Sequence, residues 1–396
     1  MKNQAIGCLL ACLLMACLHP GCSSDGGGDV GNKDASDLQT ALETTVPCGG
    51  CEPGTYCNFD QCEPSSVSMP QDAAPHECRI EWWYYTGHLT DGTGQWGFEI
   101  ALFEQRVSDL LPDIPNDGMG YMCHVAILDE VAKDHVFTEN GSFEPKSWSS
   151  DPVDLQVLNC HLEISGDGHD RIRGRIPVGE EGHDDPGDWG FDLQLDTTKP
   201  LIHHGGNGII PMSEEGGDSW YYSYTRLAAQ GTLTTPDGDR PVTGQAWMDH
   251  QWGEFDSSMF LGWDWWSMQF DDGWEIMLFQ FRDWTGELVT QAGTLVDPDG
   301  NITAIEGMGA FQITSLREWK SPHSDGAYPL DWDIVIPEMD WKLESRALFD
   351  DQEVPNFVKT YWEGSVTITG TRGDTPVTGV GFTELTGYAE STLGLI

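Results

Sequence analysis

From about residue 78 onward the chain is a series of short runs in which apolar and polar side chains alternate, the period of a strand with one face on a core. Phe191-Asp192-Leu193-Gln194-Leu195-Asp196 alternates cleanly. Trp332-Asp333-Ile334-Val335-Ile336 does so on one face, and Val366 and Ile368 oppose Ser365, Thr367 and Thr369. Turn dipeptides at Asp91-Gly92, Asp117-Gly118, Asp237-Gly238, Asp272-Gly273 and Asp299-Gly300 separate the runs. Long amphipathic helix patterns are absent, so the expected class is all-β. One run is different: Ile276 and Leu278 fall on one face while Met277, Phe279 and Phe281 fall on the other. A strand apolar on both sides suits a barrel wall packed against a sister domain or lining an apolar interior.

That strand is written twice. Glu99-Ile100-Ala101-Leu102-Phe103-Glu104-Gln105-Arg106 and Glu275-Ile276-Met277-Leu278-Phe279-Gln280-Phe281-Arg282 share the pattern E-I-x-L-F-x-x-R. Each follows a tryptophan doublet, Trp82-Trp83 or Trp265-Trp266, and an Asp-Gly turn. The doublets stand 183 residues apart, which predicts two similar antiparallel β-barrel domains in tandem, residues 76–250 and 251–396. A seam between like domains is a natural place for a ligand.

Charge narrows the choice of ligand. With 65 acidic against 19 basic residues and a formal charge of -46, the surface repels phosphate backbones, and a nucleic-acid partner is excluded. Asp297-Pro298-Asp299-Gly300-Asn301 lacks the downstream ligands of a calcium loop and reads as a turn. Seventeen tryptophans exceed what turns and surfaces use, so many line cores or an apolar pocket.

The N-terminus reads as targeting sequence. The apolar run from Ala5 to Ala16 is too short for a mature membrane span. Leu14-Met15-Ala16-Cys17 resembles a bacterial lipobox, and Cys22 followed by Ser23-Ser24-Asp25-Gly26-Gly27-Gly28 resembles the start of a lipoprotein tether. Either Cys17 or Cys22 could carry the lipid. The expected organisation is a signal peptide at 1–21, a flexible tether at 22–47 and a cysteine-rich module at 48–75. The protein would be anchored to a membrane outside the cytoplasm, each buried methylene contributing about 0.8 kcal/mol; the alternative is a soluble secreted protein. Behind an export signal, Cys48, Cys51, Cys57 and Cys62 predict two disulfides. Cys123 and Cys160 sit in strand-like runs as a further candidate pair, which would leave Cys78 unpaired.

The densest chemical constellation is Ala246-Trp247-Met248-Asp249-His250-Gln251-Trp252-Gly253 followed by Gly262-Trp263-Asp264-Trp265-Trp266. Histidine can change charge near neutral pH, and a neighbouring carboxylate with apolar rings can tune it as an acid or base. On a strand His250 and Trp252 share one face and Asp249 takes the other. The expectation is therefore an apolar cavity near the seam lined by His250, Trp252 and Trp263, with Asp264 close by and Asp249 in structural hydrogen bonding. Trp82, Trp83 and Tyr222 would contribute from the first domain. The competing expectation for His250 is a buried histidine satisfied by backbone groups.

Four segments in series carry a resemblance: Glu81-Trp82-Trp83-Tyr84-Tyr85-Thr86-Gly87-His88-Leu89, Trp220-Tyr221-Tyr222-Ser223-Tyr224-Thr225-Arg226-Leu227, Trp247-Met248-Asp249-His250-Gln251-Trp252-Gly253 and Gly381-Phe382-Thr383-Glu384-Leu385-Thr386-Gly387-Tyr388. Together they resemble the AttH and hydroxyneurosporene-synthase-like family of lipocalin-like proteins, which includes bacterial carotenoid 1,2-hydratases. The resemblance implies two lipocalin-like barrels. It also puts the family's D-H-x-W-G histidine and tryptophan at His250 and Trp252, which the hydratase branch uses with a tyrosine and an aspartate further along. The strand Met277 to Arg282 offers neither, and Asp264 is the nearest acid; Gln251 stands where a glutamate is common.

Other chemistries lack their marks. No G-x-S-x-G elbow supports a serine hydrolase. No H-E-x-x-H appears, and His203-His204 reads as a strand-to-turn join, so no metal is expected. Nothing demands a cofactor. The first functional reading is a cell-envelope lipoprotein that holds an apolar isoprenoid-, polyketide- or lipid-like molecule, with any transport partner unidentified. The alternative is a hydratase, cyclase or isomerase that uses His250 and a nearby acid.

Overall fold

In the computed structural model the described residues are 55–58, 61–64 and 66–389, apart from 108–117, 178–187, 214–216, 256–259 and 356–359. Cys17, Cys22, Cys48 and Cys51 lie outside them. A short hairpin of Thr55–Asn58 and Gln61–Pro64 sets Cys57 opposite Cys62 in its register. Among the described residues no helix is long and apolar enough to cross a membrane.

Two curled antiparallel sheets follow, the all-β, lipocalin-like organisation expected from the sequence. The first runs, neighbour by neighbour, Asp134–Ser142, Met119–Asp129, Gln95–Arg106, Ile80–Thr90, Gly238–Gly253, Gly217–Thr235, Trp189–Thr197, His169–Ile176, Cys160–Ile164, Val153–Val157 and Ser147–Ser150. The second runs Ile302–Glu306, Leu288–Val296, Glu275–Arg282, Gly262–Phe270, Thr375–Thr386, Tyr361–Arg372, Trp341–Ala347, Ala327–Ile336 and Gln312–Lys320. In each, a meander of four strands meets the last strand of its unit, so the order repeats.

The repeat holds to single residues. Trp82 stands opposite Phe103 and Trp83 opposite Leu102; Trp265 stands opposite Phe279 and Trp266 opposite Leu278. Both hairpin connections turn on a glycine with positive φ, Gly92 at 85° and Gly273 at 84°, a conformation that a side chain would strain. Alternation then splits each doublet. Trp83 and Trp266 enter the two domain interiors, whereas Trp265 packs in a third cluster between the sheets with Met277, Phe279 and Phe281. The strand that reads apolar on both sides is thus wall and seam at once. Burial of each such side chain contributes about 2 kcal/mol.

The first sheet curls until its two ends touch, and a Cys123–Cys160 disulfide ties strand Met119–Asp129 to strand Cys160–Ile164. Cys78 is a free, buried thiol. Across the seam the sheets approach so closely that a Cβ on Gly97 would lie 2.6 Å from Ser365 Oγ. Polar clasps span the same gap: Glu275 takes Lys199 Nζ at 2.5 Å and Arg226 Nε at 2.6 Å, and Ser365 Oγ bonds Glu130 at 3.0 Å.

Candidate active site

The strands that face the seam send alternate residues into one cavity of about 220 Å³. From the first domain come Trp82, Tyr84, Glu99, Phe103, His124, Tyr221, Asp249 and Gln251; from the second come Trp263, Trp265, Phe279, Tyr361, Glu363 and Glu384. The wall is mostly aromatic, and among the described residues no lysine or arginine lines it.

Four carboxyl groups, those of Glu99, Asp249, Glu363 and Glu384, share this cation-free space, and burial there governs their protonation. Burial first, and then the charge of Glu384, push Glu99 up to about 8. Burial and the charges of Glu384 and Glu99 hold Glu363 well above the ordinary carboxylate range. A carboxyl kept protonated at neutral pH is a proton donor. His124 is driven the other way, down to about 4 by burial, and is therefore a neutral imidazole. Asp249 is raised to about 6 by burial, against the donors Ser223, Tyr221 and Trp247.

Hydrogen bonds join these groups across the seam. Tyr361 Oη lies 2.9 Å from His124 Nδ1 and 3.4 Å from Glu99 Oε1. Tyr84 donates to Glu363 Oε1 at 2.6 Å. On the other wall Asp249 accepts from Tyr221 Oη at 2.7 Å, from Trp247 Nε1 at 2.6 Å and from Ser223. Glu99 Oε2, Glu363 Oε2 and His124 Nε2 are buried and make no hydrogen bond among the described residues. Other buried polar atoms of the described residues are also unpartnered, but these three belong to residues that line one cavity, where polar ligand atoms or water can satisfy them.

The residues singled out from the sequence divide into three groups. Trp82 and Trp263 line the cavity, and so does Asp249, a correction to its expected place on the strand face away from the ligand; it accepts hydrogen bonds from Tyr221, Trp247 and Ser223. His250 and Trp252 do share a face, but it is the interior of the first domain and not the cavity. Across the strand pair His250 stands opposite Trp83 and Gln251 opposite Trp82, so the doublet's inward tryptophan takes the histidine with it. There His250 stacks on Trp83 at 4.5 Å and bonds Tyr222 Oη through Nδ1 at 3.0 Å and Glu81 Oε1 through Nε2 at 2.7 Å. Its partners are side chains, not the expected backbone groups. Asp264 points into the second domain, where Gln280 at 2.8 Å and Tyr388 at 2.9 Å hold it beside Arg282. Sequence reasoning passed over Glu99, His124, Tyr361, Glu363 and Glu384. A signal existed for two of them: Glu99 opens the repeated strand, and Glu384 sits inside Gly381-Phe382-Thr383-Glu384-Leu385, an acid amid apolar strand positions.

The model of one family, AttH-like, matches residues 61–388, most of the chain. The chain belongs to the AttH-like family. Among solved AttH-like structures, one described as an AttH from Nitrosomonas europaea superposes with a TM-score of 0.70 at 28% identity, covering 82% of this chain and 98% of that one. Kievitone hydratase from Nectria haematococca shares the fold, with a TM-score of 0.66 at 18% identity over 84% of this chain and 95% of that one. A kievitone hydratase of Fusarium solani subsp. phaseoli is 27% identical over 212 residues, 49% of this chain and 56% of that protein. The match therefore spans little more than half the length of that relative.

Proposed function

We propose that this AttH-like protein is a hydratase-type enzyme that adds water across a carbon–carbon double bond of an apolar substrate held in the seam cavity. The carrying observation is the connection Glu99–Tyr361–His124, a protonated carboxyl and a neutral imidazole joined through one hydroxyl, each with an unpartnered polar atom on the same cavity. Glu99 protonates one alkene carbon. The cationic character that develops on the other is stabilised by the faces of Trp82, Trp265 and Phe279. Water attacks that carbon and gives its proton to His124 Nε2. The imidazole passes its Nδ1 proton to Tyr361, which returns its own to Glu99; water is consumed with no net proton change, and His124, left protonated on Nε2, regains the Nδ1–H form by proton exchange with water before the next turnover. The match to a kievitone hydratase supports the same reaction class.

The test is incubation of purified protein with kievitone and a panel of isoprenoid, polyketide and lipid-like alkenes in oxygen-18 water. One heavy oxygen in the product, lost in Glu99→Gln, supports the proposal. Retention of an apolar ligand with no label incorporated would replace it with the second reading, a binding protein. The lipobox-like Leu14-Met15-Ala16-Cys17 and the tether after Cys22 favour a place in the cell envelope for either activity.

A further inference from the structure

The other face of the strand pair Ile80–Thr90 and Gly238–Gly253 carries a second constellation that the seam chemistry does not use. We propose that His76, Glu81 and His250 form a binding site for a divalent transition metal, with an open coordination position toward a cleft beside His76. The inference is independent of the hydratase reading.

The geometry carries it. His76 Nδ1 and His250 Nε2 each lie 2.7 Å from Glu81 Oε1, and one ligand atom from each of the three residues lies within 4.8 Å of the others. Two imidazoles and one carboxylate supply the donor set of ions that bond nitrogen and oxygen at about 2.1 Å, and the hydrogen-bonded separations would open to about 3.4 Å around a tetrahedral ion. Each ligand is also held from behind. Tyr222 Oη at 3.0 Å fixes His250 Nδ1, so that Nε2 presents its lone pair to the site when Nδ1 carries the proton. The His76 backbone N–H donates to Glu81 Oε2 at 2.8 Å, and Oε1, which faces both imidazoles, is the oxygen an ion would meet when it displaces their shared protons. Trp252 stacks on His76 at 4.1 Å with 4° between planes, and Trp83 stacks on His250.

Access and charge agree with this. A cleft of about 160 Å³ lined by Asp72, His76, Cys78, Trp252 and Glu254 reaches the exposed edge of His76. Its acidic rim, in a chain of formal charge -46, favours cations. No short sequence motif could reveal the site, because His250 lies 169 residues from Glu81. The competing account is a proton-bridged cluster in which both imidazoles donate to Glu81 and no ion enters.

The experiment strips the full chain with a chelator and titrates it with Zn²⁺ and Co²⁺. The site predicts one equivalent bound, a visible cobalt spectrum of low coordination number, and proton release on binding. His76→Ala removes a ligand that lies before the first long strand and leaves the Glu81–His250 pair in place, and a thermal melt close to that of the wild type is expected. Its affinity should fall by about 100-fold. Asp154, His161 and Glu163 form the other grouping of possible ligands among the described residues. His161→Ala should therefore leave the stoichiometric site unchanged. Failure to bind one equivalent, or binding lost in His161→Ala and kept in His76→Ala, overturns the proposal.

Discussion

Glu99 and Glu275 hold the same position in two copies of one strand, yet only Glu275 meets cations, with Lys199 Nζ at 2.5 Å and Arg226 Nε at 2.6 Å. Glu99 meets the hydroxyl of Tyr361 at 3.4 Å and the charge of Glu384. One glutamate clasps the seam, and the other is left protonated within it.

Stability should record the difference. Glu99 has a folded pKa of about 8, above its unfolded value of 4.5, so ionisation favours unfolding. Its contribution is fully present below pH 4.5 and is lost between there and about pH 8, at up to about 1.4 kcal/mol per pH unit. Glu99→Gln is expected to match wild type in denaturant melts at pH 4 and to be the more stable protein at pH 8.

Turnover should follow the same group. Activity is expected to fall as pH rises through about 8, where Glu99 loses its proton, and at the acid end as pH falls through about 4, where His124 gains one. Tyr361→Phe interrupts proton return and should lower kcat by about 100-fold with little change in KM. A pH profile of kcat beside single-turnover rates checks both; an unchanged kcat in Tyr361→Phe removes the relay.

Glu275→Gln should behave in the opposite way. Loss of the carboxylate leaves Lys199 and Arg226 without their shared partner at a buried site, which costs about 3 kcal/mol in urea unfolding. The alkaline limb of the activity profile should not move.

His250→Ala separates the two faces of one strand. His250 is buried with its ring nitrogens at Tyr222 and Glu81, so truncation is expected to cost about 1–3 kcal/mol. The seam cavity, reached by Asp249 and Gln251 from the same strand, should keep its ligand. A thermal melt read beside a ligand-retention assay distinguishes these effects.

The duplication was legible because it is written in local order: Trp82 and Trp265 reach equivalent places opposite Phe103 and Phe279. Parity within a strand was legible too, since His250 and Trp252 share a face. Which face meets the seam was not, because it depends on the neighbour in register, here Trp83 against His250. The acid–base set was hidden for a related reason. His124 and Tyr361 stand 237 residues apart and meet only when the two sheets close on each other. Asp264, read as the nearest acid along the chain, is spent on Gln280 and Tyr388.

The connection from Glu99 through Tyr361 to His124 leaves the first unit, borrows one hydroxyl from the second and comes back. Neither unit alone therefore holds all three groups of the proposed relay. A variant lacking either unit would lose the proposed reaction whole and not in part.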